Sequence, residues 1–190
     1  MAQPAPPLLT SAEYLTRERA SEVRHEFYHG AMVAMAGASL EHNVIVGNVV
    51  AELRAALRDR PCVALPSDMK VVVRARGHYY YPDATVVCGA PEFADEERDA
   101  ILNPTVVVEV LSESTERKDR GDKFHDYRSI PSCTDYLLCS SSEALVEHYT
   151  RDVDGSWRLR EYGPSDVVPL RGVDVSLAVR ELYAKAFAHL

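Results

Sequence analysis

The chain contains no apolar run of about 18 residues, so no transmembrane helix is expected. Positive charge is in short supply: 21 Lys and Arg stand against 29 Asp and Glu, a net charge of -8. That excludes a generic nucleic-acid coat, whose affinity comes from cations neutralising phosphates. Any DNA contact must be concentrated on one face or helped by bound cations. Cysteine is scarce, with four in 190 residues. Cys62, Cys88, Cys133 and Cys139 form no Cys-x-x-Cys pair, which argues against structural zinc. Each lies in or beside an apolar segment, so four buried free thiols and a cytoplasmic protein are expected. There is no Gly-rich phosphate loop ending in Lys-Ser/Thr and no Gly-x-Ser-x-Gly elbow. Internal repeats and low-complexity linkers are also absent.

What remains is ordinary globular composition, 46% hydrophobic and 26% charged, in a chain long enough to bury roughly 70% of its unfolded surface. Met1–Pro7 lacks the basic start and apolar stretch of a secretory signal. Residues 1–10 read as a disordered Pro-rich tail and residues 11–190 as one domain. Thr10 and Glu13 fit a capping box, predicting a helix over about 11–20. His25–Tyr28 and Ala31–Met35, joined at His29-Gly30, read as a hairpin. Val46, Val49, Val50, Leu53 and Leu57 recur at steps of three and four, predicting a long helix with Ser39 as N-cap and its end at Asp59–Pro61.

Strand-like runs follow at Cys62–Leu65, Met69–Arg74, His78–Tyr81 and Ala84–Cys88. The acidic stretch 89–103 reads as a loop or short surface helix. Thr105–Leu111 is the most strand-like run, apolar enough to be buried on both faces. A Ser/Thr-rich turn leads to a helix near Asp119–Arg128, with Ser112, Ser114 and Thr115 as its expected cap. Asp135–Cys139, Ala144–Thr150 and Trp157–Tyr162 form a meander, and Val179–Ala188 a closing helix. This order is neither regular βαβ alternation nor all-β. It predicts the α/β class, a mixed central sheet flanked by helices.

Two carboxylates are out of place in this pattern. Glu109 sits inside Val106–Leu111, where burying an isolated charge is expensive unless it is neutralised, paired or bound to a cation. Period two puts Val107 and Glu109 on one face and Val106, Val108 and Val110 on the other. Asp83 follows Pro82, a strand-end marker, and opens the run Ala84–Cys88. If these strands are neighbours, both carboxylates reach one point. Hard oxygen ligands of that kind suit Mg²⁺, with Mn²⁺ as a substitute, and such an ion polarises a phosphoryl oxygen and activates water. Lys123 is the first candidate for a supporting cation and Lys70 the second.

Pro82-Asp83, then Glu109-Val-Leu-Ser, then Asp119-x-x-x-Lys123 resembles the PD-(D/E)XK nuclease superfamily. More closely, the chain resembles the bacterial Uma-type family of restriction-endonuclease-like proteins, a former domain of unknown function. The likeness runs from about Leu8 to the last helix. It includes Glu22–Gly30, Ala34–Ser39, Glu41-His-Asn, Pro66–Lys70 and Asp119–Phe124. The resemblance implies a restriction-endonuclease-like core and a metal-dependent endonuclease acting on DNA, with Asp83, Glu109 and the Val110 carbonyl at the metal. It also implies supporting positions at Glu41, His42 and Asp68, and, by analogy with the superfamily, a homodimer. The superfamily expects Lys two residues after the Glu, and Leu111 stands there instead. Lys123 matches the family's displaced lysine.

Plainer readings compete. Glu109 could form a buried ion pair, Asp83 could serve a turn, and Lys123 could pair with Asp119 at i,i+4 on a solvated helix. His42 could be structural. Tyr79–Tyr81 read as strand filling, and His25 and His29 are not read as a metal pair. Residues 117–128 hold five cations against three aspartates and are the best candidate for phosphate contact. Two other functions are weighed: a catalytically inactive nuclease-fold binding module, and a hydrolase of small phosphoesters.

Overall fold

The computed structural model describes residues 8–187. In chain order the elements are α1 (Ser11–Arg19), β1 (His25–Tyr28), β2 (Ala31–Ala34), α2 (Leu40–Ala56), β3 (Cys62–Pro66), β4 (Lys70–Val73), β5 (His78–Tyr80), β6 (Ala84–Cys88), β7 (Ala100–Ile101) and β8 (Val106–Val110). Then come α3 (Glu116–Lys118), a π-turn (Asp119–Lys123) and α4 (Phe124–Tyr127), which run on as one helical segment. The chain continues with β9 (Asp135–Cys139), β10 (Val146–Arg151), β11 (Trp157–Tyr162), β12 (Val167–Leu170), β13 (Val175–Ala178) and α5 (Val179–Leu182).

The local signals act where expected. The Thr10 side chain accepts from the Glu13 N–H while Glu13 accepts from the Thr10 N–H, so both halves of the capping box form. Thr10 therefore belongs to the first helix. Of the 1–10 tail, residues 1–7 lie outside the described residues. Ser39 caps α2 by accepting from the His42 N–H at 3.2 Å. His29 and Gly30 both have positive φ, 51° and 75°, the geometry of a tight hairpin turn. A Cβ on Gly30 would lie 2.8 Å from the Leu8 Cβ.

Two sheets carry the fold. The six-stranded sheet has the order β11-β10-β9-β8-β6-β3, and the five-stranded sheet has the order β2-β1-β5-β4-β7. Both are mixed: β8 runs parallel to β9 and β4 parallel to β7, while every other pairing is antiparallel. The parallel pair β8–β9 is bridged by the helical segment 116–127, as a parallel crossover requires. Period two then sorts the core. Val106, Val108 and Val110 pack with Ile45, Val49 and Leu53 of α2 and with the β12–β13 hairpin. Val107 and Leu111 face the other way, toward Val71, Val73 and Tyr80 of the five-stranded sheet and Tyr127 of α4. The far side of that second sheet is closed by Tyr14 of α1 against Phe27, Val72 and Tyr79.

The structure departs from the expectations in five places. Cys62 and Cys88 are not free thiols. They face each other across the β3–β6 ladder and are joined as a disulfide, while Cys133 and Cys139 are free and buried. The acidic stretch 89–103 contributes β7. The β12–β13 hairpin had no predicted counterpart, and α5 ends at Leu182. Thr115 starts α3 without a side-chain cap, its hydroxyl bonded instead to that of Ser112 at 2.9 Å.

The clamp of α2 on the central sheet positions His42. Ile45, fully buried one turn further on, is central to it. Ile45→Ala is expected to lower stability by about 2–5 kcal/mol, read as a shift in the urea midpoint at unchanged slope.

Candidate active site

Asp83 and Glu109 come from adjacent strands. The β6–β8 register pairs Ala84 with Val108, which sets Asp83 across from Glu109 at the end of the ladder. Asp83 Oδ2 accepts the Val110 N–H at 2.7 Å, and His42 Nε2 lies 3.3 Å from the same oxygen. Glu109 shares its face with Val107 and so points between the two sheets, with only 3% of its surface exposed. Its Oε1 accepts from Lys123 Nζ at 2.9 Å and from the Tyr127 hydroxyl at 3.1 Å.

Lys123 lies at the last position of the π-turn and is 4% exposed. Its ammonium sits 2.9 Å from Glu109 Oε1, 2.9 Å from Glu26 Oε1 and 3.1 Å from Asp119 Oδ1. Lys123 is therefore not a solvated helix lysine. Glu26 comes from β1, where it shares with Tyr28 the face turned to the central sheet, and it also accepts from Lys118 Nζ at 2.5 Å. Lys118 in turn lies 3.6 Å above the Tyr28 ring centre. Glu26 Oε1 and Asp119 Oδ1 are both buried and receive no aligned hydrogen bond.

Burial disfavours charge on each of these groups, and the partners decide the outcome. For Lys123, burial pulls the pKa down, but Glu109, Glu26 and Asp119 outweigh it and hold the ammonium well above its usual range. For Glu26, burial pushes up, and Lys123 with Lys118 outweighs it and holds the carboxyl low. For Glu109, burial wins: helped by Asp119, Asp83 and Glu26, it lifts the carboxyl well above the ordinary range despite Lys123. His42 is raised, because Asp83 and the Val110 backbone outweigh its burial.

These groups line one cleft of about 600 Å³, which holds Glu26, His42, Asp83, Glu109, Asp119 and Lys123. The chain matches the model of the Uma2 family, described as "Putative restriction endonuclease", over residues 11–180. It belongs to the Uma2 family. Two relatives from Synechocystis sp. are similar along most of their length. The uncharacterized protein sll1609 is 38% identical over 81% of this chain and 87% of its own. The uncharacterized protein slr1290 is 35% identical over 93% of this chain and 92% of its own. A crystal structure of a putative nuclease belonging to DUF820 from Anabaena variabilis superposes with a TM-score of 0.75 at 18% identity. It covers 94% of this chain and 99% of that one, and this likeness establishes the fold.

Of the positions that the Uma2 resemblance singled out, Asp83, Glu109, Val110, Lys123 and His42 line the cleft together. Glu41 stands next to His42 in the first turn of α2, half-buried, and is not among the lining residues. Lys70 is buried elsewhere, 2.8 Å from Asp99 and over the Tyr81 ring. Asp68 is exposed and pairs with Arg24. Glu26 was missed as a site residue. Its strand, His-Glu-Phe-Tyr, is half polar, so a charge there carries no local signal.

Among the described residues, no three His, Cys, Asp or Glu side chains converge as a closed metal cage. The donor set nonetheless fits a hard cation. Asp83, Glu109 and the Val110 carbonyl offer oxygen only, matching an ion held by one or two carboxylates and several waters. The charge balance agrees: Glu26, Asp83, Glu109, Glu113 and Asp119 outnumber Arg24, Lys118 and Lys123, and Glu109 resists ionising in this short supply of positive charge.

Removing Lys123 takes the ammonium from buried Glu109 and Asp119 and leaves Glu26 with Lys118 alone. Lys123→Met is expected to cost about 3–5 kcal/mol, measured by urea unfolding at neutral pH in chelator. Glu109 has the opposite sign. Its folded pKa lies above the unfolded 4.5, so the native state holds the extra proton and loses stability as pH rises from 4.5 toward the folded value. Glu109→Gln lacks that loss, so its urea midpoint relative to wild type is expected to climb over the same range.

Proposed function

We propose that this Uma2-family protein is a Mg²⁺-dependent endonuclease that hydrolyses phosphodiester bonds in DNA. The observation that carries the reading is the contact of Lys123 Nζ with Glu109 Oε1 at 2.9 Å, in the cleft that also holds Asp83. Carboxylates and an ammonium of this kind are what phosphodiester hydrolysis needs to hold a cation and to meet developing negative charge.

Asp83, Glu109 and the Val110 carbonyl would hold the ion. When bound, Mg²⁺ polarises the phosphoryl oxygen and lowers the pKa of water. Lys123 stays protonated across the neutral range because three carboxylates face it, so it supplies fixed positive charge for the phosphoryl oxygens. Glu26 and Asp119 hold that ammonium in place, and Tyr127 holds the Glu109 carboxylate through its hydroxyl. His42 steadies Asp83. Water attacks phosphorus in line. Its oxygen gains the new P–O bond and gives up a proton to solvent, while the bond to the leaving sugar oxygen breaks and that oxygen takes up a proton.

A non-catalytic binding module is favoured by two features, Leu111 in the place of the superfamily's lysine and the net charge of -8. Leu111 packs in the core beside Tyr127, and Lys123 brings an ammonium to Glu109 from the helix, so the catalytic reading is preferred.

The test is calorimetric titration with Mg²⁺ and Mn²⁺ alongside plasmid cleavage. Wild type is expected to bind metal and cut. Asp83→Asn and Glu109→Gln are expected to lose both activities while melting cooperatively as folded proteins. Equal cleavage by wild type and variants would remove the catalytic assignment. No metal binding at millimolar concentration, with the fold intact, would favour the module.

A further inference from the structure

Beside the cleft lies a second hollow of about 730 Å³, which shares Tyr28, Ser114 and Lys118 with it. The two therefore form a continuous surface path. The rest of the second hollow is built by Arg117, Arg120, Gly121 and Asp122 of the helical segment. Its lining thus carries three cations and one carboxylate in a chain of net charge -8. Two of those cations are already committed. Lys118 is held by Glu26, and Arg120 by Glu116 at 2.9 Å and by Glu147. Arg117 is exposed and its side chain has no hydrogen-bond or ion-pair partner among the described residues.

Gly121 leaves the wall of this hollow open. It sits inside the π-turn, where glycine is a poor helix former. Its φ is not positive, and a Cβ built on it meets nothing within 4 Å. Neither backbone conformation nor internal packing calls for glycine here. With no side chain at this place, an external group can come close to the helix backbone, on the wall of a cationic groove.

We propose that this groove seats the sugar–phosphate backbone of the DNA strand flanking the scissile phosphate. Arg117 takes a phosphate, and Gly121 lets the strand lie against the helix. The inference rests on the nuclease reading and extends it from the reacting group to the substrate's path.

The test measures binding of a short fluorescein-labelled DNA duplex to the full chain in chelator, across a series of salt concentrations. Arg117→Ala is expected to weaken binding several-fold and to flatten the dependence of log K on log salt by about 0.9, the value of one phosphate contact. Gly121→Gln is expected to weaken binding while melting no lower than wild type, since glutamine is the better helix former. Arg54→Ala, an exposed arginine near the other end of α2, serves as the control and is expected to leave the slope unchanged. Wild-type affinity and slope in both groove variants would overturn the groove and leave the nuclease reading standing. Wild type that binds through the groove but never cuts would overturn the nuclease reading alone. Wild type that does not bind the duplex would overturn the groove.

Discussion

The architecture converges on one buried ammonium. Lys123 is held by a carboxylate from each of three elements: Glu26 on β1 of the second sheet, Glu109 on β8 of the central sheet, and Asp119 at the start of its own π-turn. An uncompensated charge at that depth would cost several kcal/mol, so the partners must arrive together. The five-stranded sheet, the six-stranded sheet and the crossover helix are thereby tied at one point, and that point lies in the cleft wall. Fold and site share the same ion cluster.

The cluster does not behave like a structural salt bridge brought to balance. A buried pair selected for stability alone would be neutral and would bond every lone pair. Here the carboxylates outnumber the cations, Glu26 Oε1 and Asp119 Oδ1 are without aligned donors, and Glu109 is pushed toward its protonated form. Local rules broken in a cleft are the usual mark of a working site. The imbalance also has a direction. Lys123 serves the inner side of Glu109. Asp83, at the ladder's end, meets the Val110 N–H and His42 and is not ion-paired to a lysine or arginine among the described residues, so the shortage of positive charge lies toward the cleft.

What could be read from the chain follows the range of the interaction. Glu109 stood out because five valine and leucine neighbours make any charge conspicuous, and the alternation of the strand fixed its face. Asp83 was marked by Pro82, and Ser39 and Thr10 by the helices they cap. All of these are local signals. Glu26 was not legible as a site residue because its role depends on the packing of one sheet over another, which no periodicity encodes. The same holds for Cys62 and Cys88: each looks like an apolar strand residue, and only the β3–β6 register makes them partners. Lys70 and Asp68 were drawn in by motif proximity, yet β4 belongs to the second sheet and carries Lys70 to Asp99 instead.

The displaced lysine has a physical explanation in the same geometry. A lysine two residues after Glu109 would share its strand face, and in this fold that position faces Tyr127 and the inter-sheet core. Leu111 fills that space with apolar surface, which is favourable at every buried methylene. The ammonium arrives from the crossover helix, whose path from β8 to β9 already brings Lys123 over Glu109. The π-turn sets Asp119 and Lys123 on the same buried side, so the lysine carries one of its own counter-charges with it. Moving the cation from strand to helix frees the strand for packing, and it makes the position of the cation depend on the helix that also forms the wall of the neighbouring groove.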